Sequence, residues 1–123
     1  ATAAIVPHQA FLTKRNQRFF TNSTSGSMGY GIAASIGASL GNKKSRIICF
    51  EGDGSLQMNI QELATISHNK LNIIILVFSN NGYHSIRQTQ KNYFSDNLVG
   101  IDEETGLFFP NLKDISIRLQ LGR

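Results

Sequence analysis

The fold is decided by the stretch Ile47-Ile48-Cys49-Phe50-Glu51-Gly52-Asp53-Gly54-Ser55, in which an apolar run leads directly into an acid-glycine turn. A continuous apolar run is typical of a strand in a parallel sheet that is covered on both faces. A Gly-Asp-Gly turn often joins the strands of a hairpin, but here a helical pattern follows the turn. The stretch therefore predicts a strand with Asp53 at its carboxyl end, where open α/β sheets bind ligands.

A second apolar strand, predicted at Asn72–Ser79, is followed by paired asparagines and a glycine, Asn80-Asn81-Gly82. Because neighbouring parallel strands end at the same edge of a sheet, we expect Asp53 and Asn80 to lie close together. A carboxylate, an amide oxygen and a backbone carbonyl are hard ligands that suit Mg²⁺, which takes its remaining ligands from water or phosphate. Gly54 and Ser55 offer backbone N–H groups to a diphosphate oxygen. The two strand ends together predict a metal-bridged diphosphate site.

The rest of the chain continues the alternation of strands and helices. The other predicted elements are a short strand at Arg18–Asn22, a helix at Gly29–Leu40 ended by Gly41-Asn42, a helix at Asn59–His68 with capping-box spacing between Asn59 and Glu62, a loop at Asn92–Phe109, and a last helix that begins at Pro110 with Leu112, Ile115 and Leu119 on one face. Such alternation predicts a doubly wound α/β fold, with a mainly parallel sheet and helices on both faces.

A glycine cluster leaves a second function open. Gly29-x-Gly31-x-x-Ala34 fits the relaxed dinucleotide fingerprint, and Glu51 follows about where a ribose-binding acid would lie. A Rossmann-like dinucleotide-binding module is therefore the alternative to the metal-bridged site. A Walker loop is excluded, because the Gly41-Asn42-Lys43-Lys44-Ser45 segment lacks the required register.

Charge and hydropathy weigh against several partners. The chain carries 12 Lys and Arg against 8 Asp and Glu, and no acid precedes Glu51. A basic first half can attract an anionic partner, but it is equally a solvated basic face, and the aromatic-basic interleaving of single-strand binders is missing. A nucleic-acid binder is therefore the third and least favoured function. We expect no nucleic-acid partner. The apolar run Ile73–Phe78 is too short to span a bilayer, so we expect no membrane partner and a cytoplasmic setting.

The 123 residues amount to one domain by length, yet they are short for an enzyme that must hold both a cofactor and a substrate. The chain begins at Ala1 and ends at Leu121-Gly122-Arg123. We therefore expect residues 1–123 to be a single, truncated domain of a larger protein. Cys49 has no partner for an internal disulfide, and we expect it to be a small buried hydrophobe.

The motif Gly52-Asp53-Gly54-Ser55 followed by Asn80-Asn81 resembles the diphosphate-binding motif of thiamine diphosphate-dependent enzymes. Three further segments are similar to the acetolactate synthase-like branch of that family: Ser25 to Ala38, Gln57 to Thr65, and Ile86-Arg87-Gln88. The resemblance covers roughly Thr2 to Ile115, and it implies the thiamine diphosphate-binding α/β fold.

The resemblance also implies roles for individual residues. Asp53, Asn80 and the backbone carbonyl of Gly82 would ligate Mg²⁺, and Gly54 and Ser55 would hold the diphosphate. The Gly26 carbonyl and the Met28 N–H would bind the aminopyrimidine of thiamine diphosphate, and the Met28 side chain would support the bent cofactor. His8-Gln9 would lie near the diphosphate. The alternative for His8 is a surface histidine on a short helix. Tyr83 and His84 follow the metal loop, where they are candidates to face substrate.

The activity implied by the resemblance is that of a lyase or transferase. The cofactor serves as the electron sink for decarboxylation of a 2-keto acid, and the remaining fragment is passed to a second carbonyl compound or released as an aldehyde. In this family the activating glutamate lies in a separate domain, usually of a partner subunit in a homodimer or tetramer. We therefore assign no catalytic residue in this chain and expect the isolated chain to be inactive.

Overall fold

The computed structural model of the chain describes residues 2–118, with side chains through residue 115. Its elements in chain order are α1 (Thr2–Ala10), α2 (Tyr30–Gly41), β1 (Ile47–Gly52), α3 (Asp53–Met58), α4 (Glu62–His68), β2 (Ile73–Phe78), α5 (His84–Tyr93), a 3₁₀ turn (Glu103–Thr105) and α6 (Leu112–Arg118). Strands and helices alternate through the centre of the chain, as the sequence pattern indicates.

The two strands pair in parallel, in a register that runs from Ile47 opposite Ile73 to Gly52 opposite Phe78. The connection between them passes through α3 and α4, because parallel neighbours need a crossover that returns the chain to the starting edge. The predicted α/β class with a parallel sheet is therefore confirmed, and so are both apolar strands.

Helices α2 and α4 cover one face of the sheet. Ile32 and Ile36 of α2 meet Leu63 and Ile66 of α4 over the buried Cys49. Cys49 is thus the small buried residue that the sequence predicts. Leu112 and Ile115 of α6 pack against the same core, which confirms the predicted face of the last helix. Leu119, assigned to that face as well, lies outside the described residues.

The other face of the sheet is only partly covered. Helix α1 contacts both strands, yet the side chains of Ile48, Ile74, Leu76 and Phe78 remain 39–52% exposed. The prediction of helices on both faces is therefore met fully on one face and partly on the other within residues 2–118. In that part of the chain no helix combines the length and the apolar character needed to cross a membrane.

The predicted strand at Arg18–Asn22 and the predicted helix cap at Asn59 are both wrong. Arg18–Asn22 is irregular, because no strand of the described sheet lies beside it to complete a ladder; Phe19 instead stacks on Phe11 with ring centroids 5.3 Å apart. The capping box at Asn59 is also absent. Helix α4 begins at Glu62, and the Asn59 amide donates to the Gly29 carbonyl instead, at 2.9 Å.

Helix α5 (His84–Tyr93) was not predicted, since its sequence is polar and buries no residue fully. The loop predicted from Asn92 begins at the end of this helix and contains the 3₁₀ turn. The last helix starts at Leu112 and not at Pro110, because the Asn111 side chain accepts a bond from the Lys113 N–H at 2.9 Å. A side chain that takes an otherwise unpaired N–H of the first turn fixes the start of a helix.

Candidate functional site

Asp53 joins the carboxyl ends of the two strands. It is 5% exposed and begins α3 directly after β1. Its Oδ2 accepts backbone N–H bonds from Asn80 and Asn81, both at 3.0 Å, and a hydroxyl bond from Ser79 at 3.3 Å. Its Oδ1 accepts the N–H of Gly54 at 2.8 Å. The predicted approach of Asp53 and Asn80 is therefore confirmed, and it is made through the Asn80 backbone.

The turn after β2 presents its remaining polar groups outwards. The exposed Asn80 side chain has no hydrogen-bond partner within residues 2–115. Asn81 adopts a left-handed conformation, with φ 55°. Gly82 is buried at φ +150°, where a Cβ would lie against the Ile101 carbonyl and 2.9 Å from Arg87 Nη2. A glycine is therefore required at position 82.

Tyr83 packs against α3 at the edge of the site. Its ring lies directly against Gly54, so that any Cβ at position 54 would overlap it. The ring also makes an edge contact with Phe109, with centroids 5.7 Å apart. The N–H of Tyr83 donates to the Ile101 carbonyl at 2.8 Å. Tyr83 thereby links the two strand ends to the late loop.

The segment Gly26 to Gly29 is held on α3 by a pair of hydrogen bonds. The Gly29 N–H donates to Ser55 Oγ at 2.8 Å, and the Gly29 carbonyl accepts from Asn59 Nδ2 at 2.9 Å. Gly29 has φ +81°, and a Cβ there would approach Met58 Cβ to 2.9 Å. The segment that carries Gly26 and Met28 is therefore fixed to the helix that carries Asp53.

A cavity of about 770 Å³ brings all the predicted site residues together. Its lining includes Asp53, Asn80 and Gly82, assigned to metal, and Gly26, Met28, Gly54, Ser55, His8 and Gln9, assigned to the cofactor. His8 and Gln9 reach the cavity as exposed residues of α1, so the surface-helix alternative for His8 also describes its position. Tyr83 and His84 line the cavity too.

Glu51 is engaged differently from a ribose-binding acid. It is 5% exposed, and its Oε2 is buried without a hydrogen-bond partner among the described residues. This oxygen lies against Gly31 of α2, where a Cβ would collide with it and would approach Cys49 Sγ to 3.3 Å. Burial raises the pKa of the Cys49 thiol, and the charge of Glu51 raises it further, whereas hydrogen bonding with Ser35 lowers it. Gly29 leaves room for Met58 and Gly31 leaves room for Glu51. Packing of these side chains explains the two glycines without a bound diphosphate, which argues against the dinucleotide alternative.

An ion pair lies beside the turn Asn80–Gly82, between α5 and the late loop. Arg87 Nη2 of α5 lies 2.8 Å from Asp102 Oδ2. The Asp102 carboxylate also accepts the Thr105 hydroxyl at 2.8 Å and the Thr105 N–H at 3.1 Å. The hydrogen bond from the Thr105 side chain, and then the one from Arg87, hold the pKa of Asp102 below its ordinary value.

Sequence reasoning missed several of these supporting residues. Asn59, predicted as a helix cap, instead binds Gly29, and Ser55, predicted to hold the diphosphate, also accepts the Gly29 N–H. Arg87 was noted only within a similar segment, and its contact with Asp102 spans 15 positions. A period of three to four residues through Tyr83, Arg87 and Gln90 is the signal that would have indicated a helix face here.

The fold and the site together define a class of protein. A parallel α/β domain with a buried carboxylate and an asparagine turn at one edge, beside a cavity of cofactor size, is a ligand-binding domain of the open-sheet type. Residues 2–117 match the family described as thiamine pyrophosphate enzyme, C-terminal TPP binding domain. The chain belongs to this family, which confirms the resemblance seen in the motif and does not favour the Rossmann alternative.

Individual relatives agree with the family. The chain is 41% identical over 86 residues to acetolactate synthase isozyme 1 large subunit of Escherichia coli K12, across 70% of this chain and 15% of that protein. It is 31% identical to an acetolactate synthase of Arthrospira platensis, across 85% of this chain and 18% of that one. The chain therefore spans less than one fifth of the length of these relatives.

A solved structure agrees as well. The thiamine diphosphate-dependent 4-hydroxybenzoylformate decarboxylase of Rhodococcus jostii RHA1 superposes on 78% of this chain and 17% of its own, with a TM-score of 0.63 and 26% sequence identity. The fold and the family assignment thus rest on both sequence and structure.

Proposed function

We propose that this chain binds thiamine diphosphate through Mg²⁺, with Asp53, Asn80 and the Gly82 carbonyl as the metal ligands. The observation that carries the proposal is the Asp53 carboxylate, which accepts the backbone N–H groups of Asn80 and Asn81 at 3.0 Å and so holds the asparagine turn at the end of β1. The chemistry of the donors fits the ion, since a carboxylate, an amide and a carbonyl oxygen are hard ligands of the kind that Mg²⁺ takes.

The remaining cofactor contacts are proposed from the cavity lining. The Gly54 N–H is donated to Asp53 at 2.8 Å, which leaves the Ser55 N–H as the donor for a diphosphate oxygen. The Ser55 hydroxyl accepts from Gly29 and keeps its own hydrogen to donate. Gly26 and Met28 would face the aminopyrimidine, with His8 and Gln9 near the diphosphate. A volume of about 770 Å³ lies within the range of small-molecule sites.

The larger activity is proposed from the relatives, which are acetolactate synthases. The bound cofactor supplies an electron sink for decarboxylation of a 2-keto acid, followed by transfer to a second carbonyl compound or release as an aldehyde. This chain's residues bind and orient the cofactor, and we propose that the activating glutamate belongs to another domain of a homodimer or tetramer. A cytoplasmic setting remains part of this proposal.

Calorimetric titration of the chain with thiamine diphosphate tests the binding proposal. We expect binding with Mg²⁺ present and none when the metal is chelated. Asn80→Ala is the sharpest variant, because the Asn80 side chain makes no hydrogen bond within residues 2–115 and its loss leaves the fold intact. We expect affinity to fall by at least about 10- to 100-fold, the loss typical of removing a group that only supports a metal ligand.

Asp96→Asn is the matched control, since Asp96 is exposed and lies in a left-handed turn that asparagine tolerates. Equal affinities of Asn80→Ala and Asp96→Asn would contradict the assigned ligands. Binding of thiamine diphosphate that is indifferent to Mg²⁺ would contradict the metal bridge itself.

A further inference from the structure

Helix α5 and the segment Val99–Asp102 form a contact that the proposed function does not use. Three residues hold this segment: Tyr83, directly before α5, and Arg87 and Gln90 within the helix. Residues spaced by three and four lie on the same side of a helix. Each of the three binds a different residue of the segment, so that the contact is continuous along it.

Gln90 supplies two of these bonds. Its Nε2 donates to the Val99 carbonyl and its Oε1 accepts the Val99 N–H, both at 3.0 Å. The amide thus pairs with both backbone groups of one residue, as a neighbouring strand would. At the other end of the segment, Arg87 holds Asp102 at 2.8 Å. Between them Ile101 is fully buried, with its N–H donated to Thr105 Oγ1 at 2.9 Å.

The Ile101 carbonyl fixes the peptide unit between Gly82 and Tyr83. It accepts the Tyr83 N–H at 2.8 Å. In a planar trans peptide the N–H and the C=O point in opposite directions. The bond to Ile101 therefore aims the Gly82 carbonyl away from the Val99–Asp102 segment. Gly82 lines the cavity, and its carbonyl is the backbone ligand in the proposed metal site.

We infer that Gln90 and Arg87 are positioning residues for the cation, because they hold the Val99–Asp102 segment that orients the Gly82 carbonyl. The inference rests on the proposed metal site and adds residues that do not themselves touch the ion. The Tyr83 ring packs on Gly54, which restrains the residue that carries the N–H of this peptide unit. The carbonyl is thus oriented before the metal arrives, which lowers the cost of ordering a ligand.

Gln90→Met tests the inference, since methionine keeps the side-chain length and helix propensity and removes both bonds to Val99. Gln88→Met is the matched control, because it makes the same chemical change at an exposed position of the same helix. The probe is Mn²⁺ alone, which shares the oxygen ligands of Mg²⁺, titrated onto the 123-residue chain and followed by electron paramagnetic resonance. A second readout is hydrogen exchange of the Tyr83 amide by NMR.

We expect Gln90→Met to weaken Mn²⁺ binding roughly three- to tenfold relative to Gln88→Met and to speed exchange at Tyr83, while the Ile75 amide of β2 is unchanged. Arg87→Lys, which keeps the charge and loses the planar fork, is expected to show a smaller change in the same direction. Faster exchange at Ile75 as well would overturn the inference, because the effect would then be general loss of structure.

Two different results distinguish failure of the inference from failure of the proposed function. Equal Mn²⁺ affinities of Gln90→Met and Gln88→Met, with tight binding by the unaltered chain, overturn the positioning role alone. Failure of the unaltered chain to bind Mn²⁺ overturns the proposed metal site, and the inference with it.

Discussion

At the scale of single residues, the site is assembled around two buried acids with opposite surroundings. Asp53 accepts four hydrogen bonds, from Gly54, Ser79, Asn80 and Asn81. Glu51 accepts a long one from Gly52, at 3.3 Å, and leaves Oε2 without a partner. A buried carboxylate oxygen without a partner is costly, whereas Asp53 is stabilised by every donor around it. Asp53 organises the strand ends, and Glu51 instead constrains the packing of α2.

Gly31→Ala is predicted to destabilise the fold, because its Cβ would collide with Glu51 Oε2. Overpacking of this kind costs about 1–3 kcal/mol, against a gain of up to about 1 kcal/mol in helix propensity. The control is Gly37→Ala in the same helix, which meets open space and is expected to be neutral or stabilising. Urea unfolding of both variants measures the difference.

The same clash predicts energetic coupling between positions 31 and 51. In a Glu51→Ala background the collision is relieved, so that Gly31→Ala is expected to cost at least about 1 kcal/mol less than it does alone. Additive free energies of unfolding in the double-mutant cycle would show that Glu51 is not what requires glycine at position 31.

The buried thiol of Cys49 is expected to make the folding stability fall at alkaline pH. Burial, and then the charge of Glu51, raise the pKa of its thiol above the ordinary 9.0. Below pH 9.0 the thiol is protonated in both the folded and the unfolded state, and its contribution is constant. As pH rises through that value the unfolded chain ionises first, so that folding stability falls. Urea midpoints of the unaltered chain should therefore drop more between pH 8 and pH 10, roughly one unit either side of that value, than those of Cys49→Ala.

At the scale of elements, α3 serves as the common support for the two halves of the cavity. It begins with Asp53, and Ser55 and the following Asn59 hold Gly29 by its N–H and its carbonyl. Both bonds span more than 25 positions in the chain. The segment with Gly26 and Met28 is therefore placed relative to the metal loop by one short helix.

Ser55→Ala is predicted to destabilise this support, because it leaves the buried Gly29 N–H without its acceptor. The expected loss is about 1–3 kcal/mol in the free energy of unfolding. Ser23→Ala, at an exposed position that makes no hydrogen bond within the described residues, is the control and should change little. Equal urea midpoints of Ser55→Ala and Ser23→Ala would mean that water replaces Ser55 at Gly29.

Local patterns predicted the elements that bury apolar side chains and missed those held by polar contacts. The sequence predicts the two strands from the uninterrupted apolar runs Ile47–Phe50 and Ile73–Phe78, which lie within β1 and β2. Helix α5 was missed because it buries no side chain fully and is held through Arg87 and Gln90. The Asn59 contact joins residues 30 apart, and no local spacing distinguishes it from a helix cap. The adjacency of Asp53 and Asn80 was predictable, since it follows from the parallel order of strands.

At the scale of the whole molecule, the described part of the cavity contains groups suited to holding a cofactor and no exposed carboxylate beside them. Within the described residues, the acids that line it are Glu51 and Asp53, and both are buried. Glu62, Glu103 and Glu104 do not line it. One face of the sheet stays partly exposed, and the residues matched to an acetolactate synthase large subunit cover 15% of that protein.

The isolated chain is therefore predicted to bind cofactor without turning over substrate. With Mg²⁺ and thiamine diphosphate at about 100 times the dissociation constant, mass action adds about 2.7 kcal/mol to folding stability, and the melting temperature should rise. Thiamine diphosphate alone should not have this effect, and the metal alone should have a smaller one, because the diphosphate completes the coordination of the metal. Pyruvate added to the same sample should release no carbon dioxide, since both acids that line the described cavity are buried and neither is exposed to activate the cofactor. Carbon dioxide release by the pure chain, abolished in Asn80→Ala, would show instead that these residues suffice for catalysis.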